Sequence, residues 1–202
     1  MALKYATNNA LSNTTALPSA VPTDNLILIS TQTASNSANI SFTTGLDSTY
    51  DMYEFKFINI HPRTDTANFT FQGSTNSGSS YGVTITSTAF RAHVDDAGGT
   101  EQIVYLTSND LAQSTSYQMF YNNGSSDSDD GSNGTLQLFN PSSTTYVKHW
   151  IYNGAYVGAN DACIENFYAG YFNTTSAINA IDFKMSSGNF DGTIKLYGVK
   201  KS

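Results

Sequence analysis

Hydrophobic and polar residues alternate along this chain in short runs, and beyond a turn or two no stretch carries capped helical periodicity. The alternation is strongest over residues 50–60. There Tyr53, Phe55 and Phe57 point one way and Met52, Glu54, Lys56 and Ile58 the other, until Pro62 stops the ladder. Residues 39–43 and 68–72 alternate around Ile40, Phe42, Phe69 and Phe71, and 26–31 is a nearly continuous apolar strand. Further strands are expected at 81–86, 89–94, 102–106, 117–121, 135–139, 145–152, 166–172, 180–185 and 193–199. The linkers at 73–80, 95–100, 122–134 and 186–192 are rich in Gly, Ser and Asn, and single helical turns are expected at 108–113 and 174–180. About a dozen short strands without an internal repeat predict an all-β fold, a single antiparallel β-sandwich of jelly-roll type over residues 25–202. Residues 1–24 break the pattern. They carry Asn8, Asn9, Asn13, Pro18 and Pro22, yet space Leu3, Tyr5, Leu11, Leu17 and Val21 along a polar segment, which reads as an extended arm contacting a neighbouring subunit.

Composition sharpens this picture. Only 12% of the 202 residues are charged, against about 25% in an ordinary soluble domain, and Ser, Thr and Asn make up roughly a third. With 39% hydrophobic and 13% aromatic residues the chain is too apolar to be disordered. The polar, uncharged residues therefore fill the outward half of the strands and the turns. A net charge of −7, with nine Lys and Arg spread along the chain, offers no basic stripe and argues against a nucleic-acid partner. The longest strongly apolar run, Leu26-Ile27-Leu28-Ile29, is too short to span a bilayer, and the first residues show no export signal, so no membrane association is expected. The lone Cys163 cannot form an internal disulfide and has no basic neighbour to activate it, and synthesis in a reducing cytoplasm is expected.

Candidate chemistry is sparse. Gly78-Ser79-Ser80-Tyr81-Gly82 matches the G-x-S-x-G elbow formally, but that motif needs a strand before it and a helix after it, and here it falls in a Ser/Gly-rich linker. Asp127, Asp129 and Asp130 form a weak candidate for Ca²⁺, although counting from Asp127 puts Gly131 and Leu138 where an EF-hand needs acids. His61, His93 and His149 fall on or beside separate strands without metal-ligand spacing. No carboxylate pair suggests a glycan hydrolase, so no catalytic residue and no cofactor is expected. The aromatic crowding of Tyr146, Trp150, Tyr152, Tyr156, Tyr168 and Tyr171 exceeds what one strand face would bury. Trp150, Tyr152 and Tyr156 are thus candidates for contact with a glycan or a protein.

Several segments look familiar: Tyr53-Glu-Phe-Lys-Phe-Ile-Asn-Ile-His61-Pro62, Leu138-Phe-Asn-Pro141-Ser-Ser-Thr-Thr-Tyr-Val-Lys-His149, Gly170-Tyr-Phe-Asn-Thr-Thr-Ser-Ala177, Phe183-Lys-Met-Ser-Ser-Gly188-Asn and Gly192-Thr-Ile-Lys-Leu-Tyr-Gly198-Val-Lys. With the Met-Ala-Leu-Lys-Tyr start, they resemble small virion structural proteins, decoration or fibre-like, of tailed bacteriophages that infect marine bacteria. The resemblance spans nearly the whole chain. It implies a place on the virion, with the major capsid protein or other virion proteins as partners, and transfers no functional residues. The expectation is a capsid decoration (cement) protein, a homotrimer bridging capsomers. The alternative is a tail fibre or receptor-binding module that recognises host glycans.

Overall fold

The computed structural model describes residues 25–99 and 101–200, and among them there is no helix. The strands are β1 (Leu26–Ser37), β2 (Asn39–Phe42), β3 (Met52–Pro62), β4 (Ala67–Ser74), β5 (Ile85–Asp95) and β6 (Glu101–Tyr105). They continue with β7 (Gln118–Gly124), β8 (Ser132–Phe139), β9 (Lys148–Gly158), β10 (Ala162–Phe172), β11 (Ala180–Met185) and β12 (Phe190–Val199). The arm residues Leu3, Tyr5, Leu11, Leu17 and Val21 lie outside the described residues.

Every pairing is antiparallel. One run of strands goes β1-β12-β3-β8-β9 and continues through β10 and β5 to β6, while a shorter run goes β2-β11-β4-β7. The runs meet where Gly124 of β7 pairs with Gly158 of β9. At the other end the Gln32 amide of β1 donates to the Ser41 carbonyl of β2 at 2.9 Å, so the path nearly closes into a barrel. The expectation of an all-β, antiparallel fold is met at this level.

Alternation explains the core. Tyr53, Phe55 and Phe57 of β3 are buried, as are Trp150, Tyr152 and Tyr156 of β9 and Phe69 and Phe71 of β4. Rings from the two runs meet edge-on or stacked: Phe57 with Phe183 at 5.2 Å, Phe71 with Trp150 at 5.0 Å, and Phe120 with Tyr152 at 4.1 Å. Glycine makes room for them. A Cβ on Gly170 would lie 2.4 Å from Trp150 Cζ2, and one on Gly154 would lie 2.1 Å from the Tyr152 hydroxyl. Gly154 therefore serves as a platform inside β9 and does not break it.

The structure revises several expected elements. Residues 81–84 lie outside any strand, while 85–95 form one strand, and β9 and β10 extend through 153–158 and 162–165. Neither 108–113 nor 174–180 is helical. In the first, Ser87 exchanges bonds with Leu111, amide to carbonyl and Leu111 amide to Ser87 Oγ, each at 2.9 Å, so β5 takes the groups a helical turn would use. Lys148 is wholly buried and donates from Nζ to the carbonyls of Tyr146 at 2.9 Å and Thr174 at 3.2 Å. Burial holds its pKa below the ordinary lysine value.

Candidate functional site

Two features stand out, on opposite faces of β5. Alternation sends Ile85, Ala89, Arg91 and His93 inward and Thr88, Phe90, Ala92 and Val94 outward. Register carries the outward face across the sheet, because Phe90 lies opposite Tyr105 of β6 and Phe167 of β10, and Ala92 opposite Ile103. Phe90 and Phe167 stack with centroids 4.8 Å apart. Ile103 is 80% exposed, Tyr105 55% and Phe90 46%, with Val94 and Ile151 on the same face. These residues gather large apolar side chains on one outward face, which also carries Glu101 opposite Val94 and Glu165 opposite Ala92, and a solvated sheet face does not need so many exposed rings and aliphatic groups.

Its border is an edge, since among the described residues β6 pairs with β5 alone. The Leu106 amide donates to the Ala89 carbonyl at 2.9 Å, so alternation turns the backbone groups of Gln102 and Val104 toward β5 and those of Glu101, Ile103 and Tyr105 away from it. The strand carries neither Lys nor Pro, the usual blunting residues of an edge.

On the inward face of the same strand, Arg91 and His93 line a half-open cavity of about 540 Å³, with Asn122 and Asn123 of β7, Asn160 of the β9–β10 turn, and Thr66. Arg91 Nη1 approaches the Asn122 side-chain oxygen at 3.4 Å, and the Tyr156 hydroxyl donates to the Asn122 carbonyl at 2.9 Å. Burial raises the Tyr156 pKa, and the nearby positive charge of Arg91 opposes that rise. Arg91 Nε and His93 Nε2 are buried without a hydrogen-bond partner.

The candidates named from sequence fare differently. Trp150, Tyr152 and Tyr156 are corrected from surface contacts to core residues, at 0%, 2% and 4% exposure. Their common parity on β9, together with Tyr168 opposite Tyr152 on β10, buries all four rings on one face. Tyr146 is exposed. Asp127, Asp129 and Asp130 lie in the β7–β8 connection. There the Asp127 carbonyl accepts from the Asp130 amide at 3.0 Å and the Asp130 carbonyl meets His61 Nδ1 at 3.0 Å. Among the described residues no three of His, Cys, Asp and Glu come together as a group that could hold a metal ion. Ser79 and Ser80 lie in the β4–β5 connection, which has no helix after it. Asp182, a buried carboxylate, receives Ser41 Oγ at 2.5 Å, Asn39 Nδ2 at 2.7 Å and the Tyr117 hydroxyl at 2.9 Å, and so ties β11 to β2.

Neither the outward face nor the cavity was named from sequence. Phe90 and Ile103 read there as ordinary strand residues, and Arg91 lies far along the chain from Asn122 and Asn160. The one local signal was Arg91-Ala-His93, two basic side chains of equal parity in the otherwise apolar stretch 89–94. Among the described residues no helix is long and apolar enough to cross a membrane. Comparison with known protein families, with curated proteins and with solved structures finds no match to this chain.

Proposed function

We propose that this protein is a structural component of a bacteriophage virion, a capsid decoration protein, with its strands arranged as a jelly-roll-like sandwich. The observation that carries the reading is the outward apolar face of β5, β6 and β10, with its stacked Phe90 and Phe167 and its edge β6, which has no second partner strand among the described residues. The occupant we assign to it is a second copy of this chain, in a trimer whose neighbours meet head to tail.

Area supports that occupant. From the ordinary sizes of these side chains, the exposed parts of Phe90, Val94, Ile103, Tyr105 and Ile151 amount to roughly 400 Å². A standard interface takes about 800 Å² from each partner, a little over half of it apolar, so the face supplies about what one subunit contact uses. At about 25 cal/mol per Å² the gross gain is about 10 kcal/mol, much of it offset by the cost of association. Repetition over a capsid lattice would add such contacts by avidity, so that joined capsomers resist the pressure of packaged DNA. The scarcity of charge fits the same role, because contacts without exposed ion pairs are insensitive to salt.

Phe90→Asp combined with Ile103→Asp tests the reading. The account expects a folded protein that is monomeric by light scattering and leaves particles less heat-resistant. A variant that keeps the parent mass and full occupancy on particles would contradict it. The Arg91 cavity favours a second reading, a tail module that binds host glycans, and copy number per particle separates the two.

A further inference from the structure

We infer that the cavity behind β5 is a binding site for an acidic sugar, with Arg91 and His93 receiving the oxyanion and the asparagine amides receiving the hydroxyls. The inference rests on neither virion location, since a cavity of this kind works on a head or a tail.

The charge argument comes first. The sequence holds two arginines. Arg63 is spent on Asp191, its Nε 2.6 Å and its Nη2 3.1 Å from the two carboxylate oxygens. Arg91 has no carboxylate partner among the described residues, and none of the cavity-lining residues is acidic. Asp95, the next acid on the inward side of β5, turns its carboxylate to the Gly99 amide at 2.8 Å. In a chain of net charge −7, a half-buried guanidinium without a carboxylate partner beside a half-open cavity is a place that suits an anionic ligand.

Hydrogen bonding points the same way. Arg91 Nε is a buried donor with no acceptor. The Gln102 amide nitrogen lies 3.4 Å from His93 Nδ1, and with Gln102 donating there the ring proton belongs on Nε2, which is also buried and unpartnered. Buried donors are normally satisfied, and the Asn166 side-chain oxygen, across from Arg91 on β10, is a buried acceptor likewise without a partner, so the polar groups beside the cavity are unmatched in both senses.

Size and lining identify what carries the anion. A cavity of about 540 Å³ falls in the usual range for small-molecule sites, roughly 300–1,000 Å³, and exceeds the needs of a bare inorganic ion. Asn122, Asn123, Asn160 and Thr66 present amide and hydroxyl groups, and Ile164 adds an apolar patch for the C–H face of a ring. No Phe, Tyr or Trp is among the cavity-lining residues. Oxyanion, hydroxyls and one apolar face together describe a sugar bearing a carboxylate or a sulfate ester.

Titration of the full chain followed by amide NMR tests this with four probes: glucuronate, galactose 6-sulfate, neutral galactose and inorganic sulfate. The expected result is saturable shifts at residues 66, 91, 122 and 160 with one or both acidic sugars, and the stronger of the two identifies the anion. Binding of that sugar should weaken roughly tenfold or more in Arg91→Gln, as loss of a charge-assisted bidentate contact implies. Asn160→Ala, on the turn outside the strands, should weaken it less and guards against an Arg91 variant that misfolds. Shifts equal for neutral and acidic sugars, inorganic sulfate binding as tightly as either sugar, affinity unchanged in Arg91→Gln, or no shifts with any probe would each overturn the inference. The multimer and particle measurements above are untouched by any of these outcomes.

Discussion

Tyrosine shows at single-residue scale how burial becomes a pH response. Tyr121, Tyr152 and Tyr168 are in the core, and desolvation raises the pKa of each above the ordinary value of 10.0. The unfolded chain therefore gives up these protons first as pH rises. Their contribution to stability is fully present below pH 10.0 and is lost above it, toward the raised folded values. Lys148 has the opposite sign, since its lowered pKa makes the unfolded chain bind more protons and stability rise toward its ordinary value of 10.5. Three raised phenols outweigh one lysine, so alkaline unfolding is expected above pH 10. Tyrosinate absorbance and circular dichroism should then change in one cooperative step for the buried rings. Titration of all thirteen tyrosines near pH 10 with the fold intact would show that these rings are not held in the core.

At the scale of elements, the pair β9–β10 depends on glycine beneath large rings. Gly170→Ala would force a methyl group to within 2.4 Å of Trp150 Cζ2 and 2.7 Å of the Thr86 carbonyl, so a side chain and a neighbouring strand would both have to move. Overpacking of this kind costs about 1–3 kcal/mol. The variant should unfold at lower urea with an altered emission from Trp150, the lone tryptophan; unchanged stability would mean that the ring has other room. The same glycines explain what was legible. Residues 50–60 could be read as a strand because the inward positions 53, 55 and 57 are aromatic rings and the positions between them are polar or aliphatic. The expected strands stopped at 152 and began at 166, because sequence reveals no ring lying over Gly154, and the far halves of β9 and β10 went unread. The aromatic crowding of 146–171 was visible, but its direction was not. Parity alone separates two faces, and only pairing with β8 and β10 decides that Trp150, Tyr152 and Tyr156 point inward while Ile151 stays outward.

For the whole molecule, the fold class followed from the number and spacing of alternating segments, whereas the closure of the path did not. Closure rests on the Gly124–Gly158 pairing and on the reach of Gln32 to Ser41, contacts between segments that nothing in their local composition relates. The low charge visible at the outset acquires its meaning at this scale. A coat of Ser, Thr and Asn surrounds an aromatic core, and one sheet face breaks that coat with Phe90, Phe167, Ile103 and Tyr105. We read that face as a subunit contact, and its value grows with the number of copies arrayed together. Quantifying this chain against the major capsid protein in purified phage particles tests that reading most directly. A decoration protein should be present at hundreds of copies per particle, comparable with the capsid subunit itself; a few to a few dozen copies, or none, would contradict it.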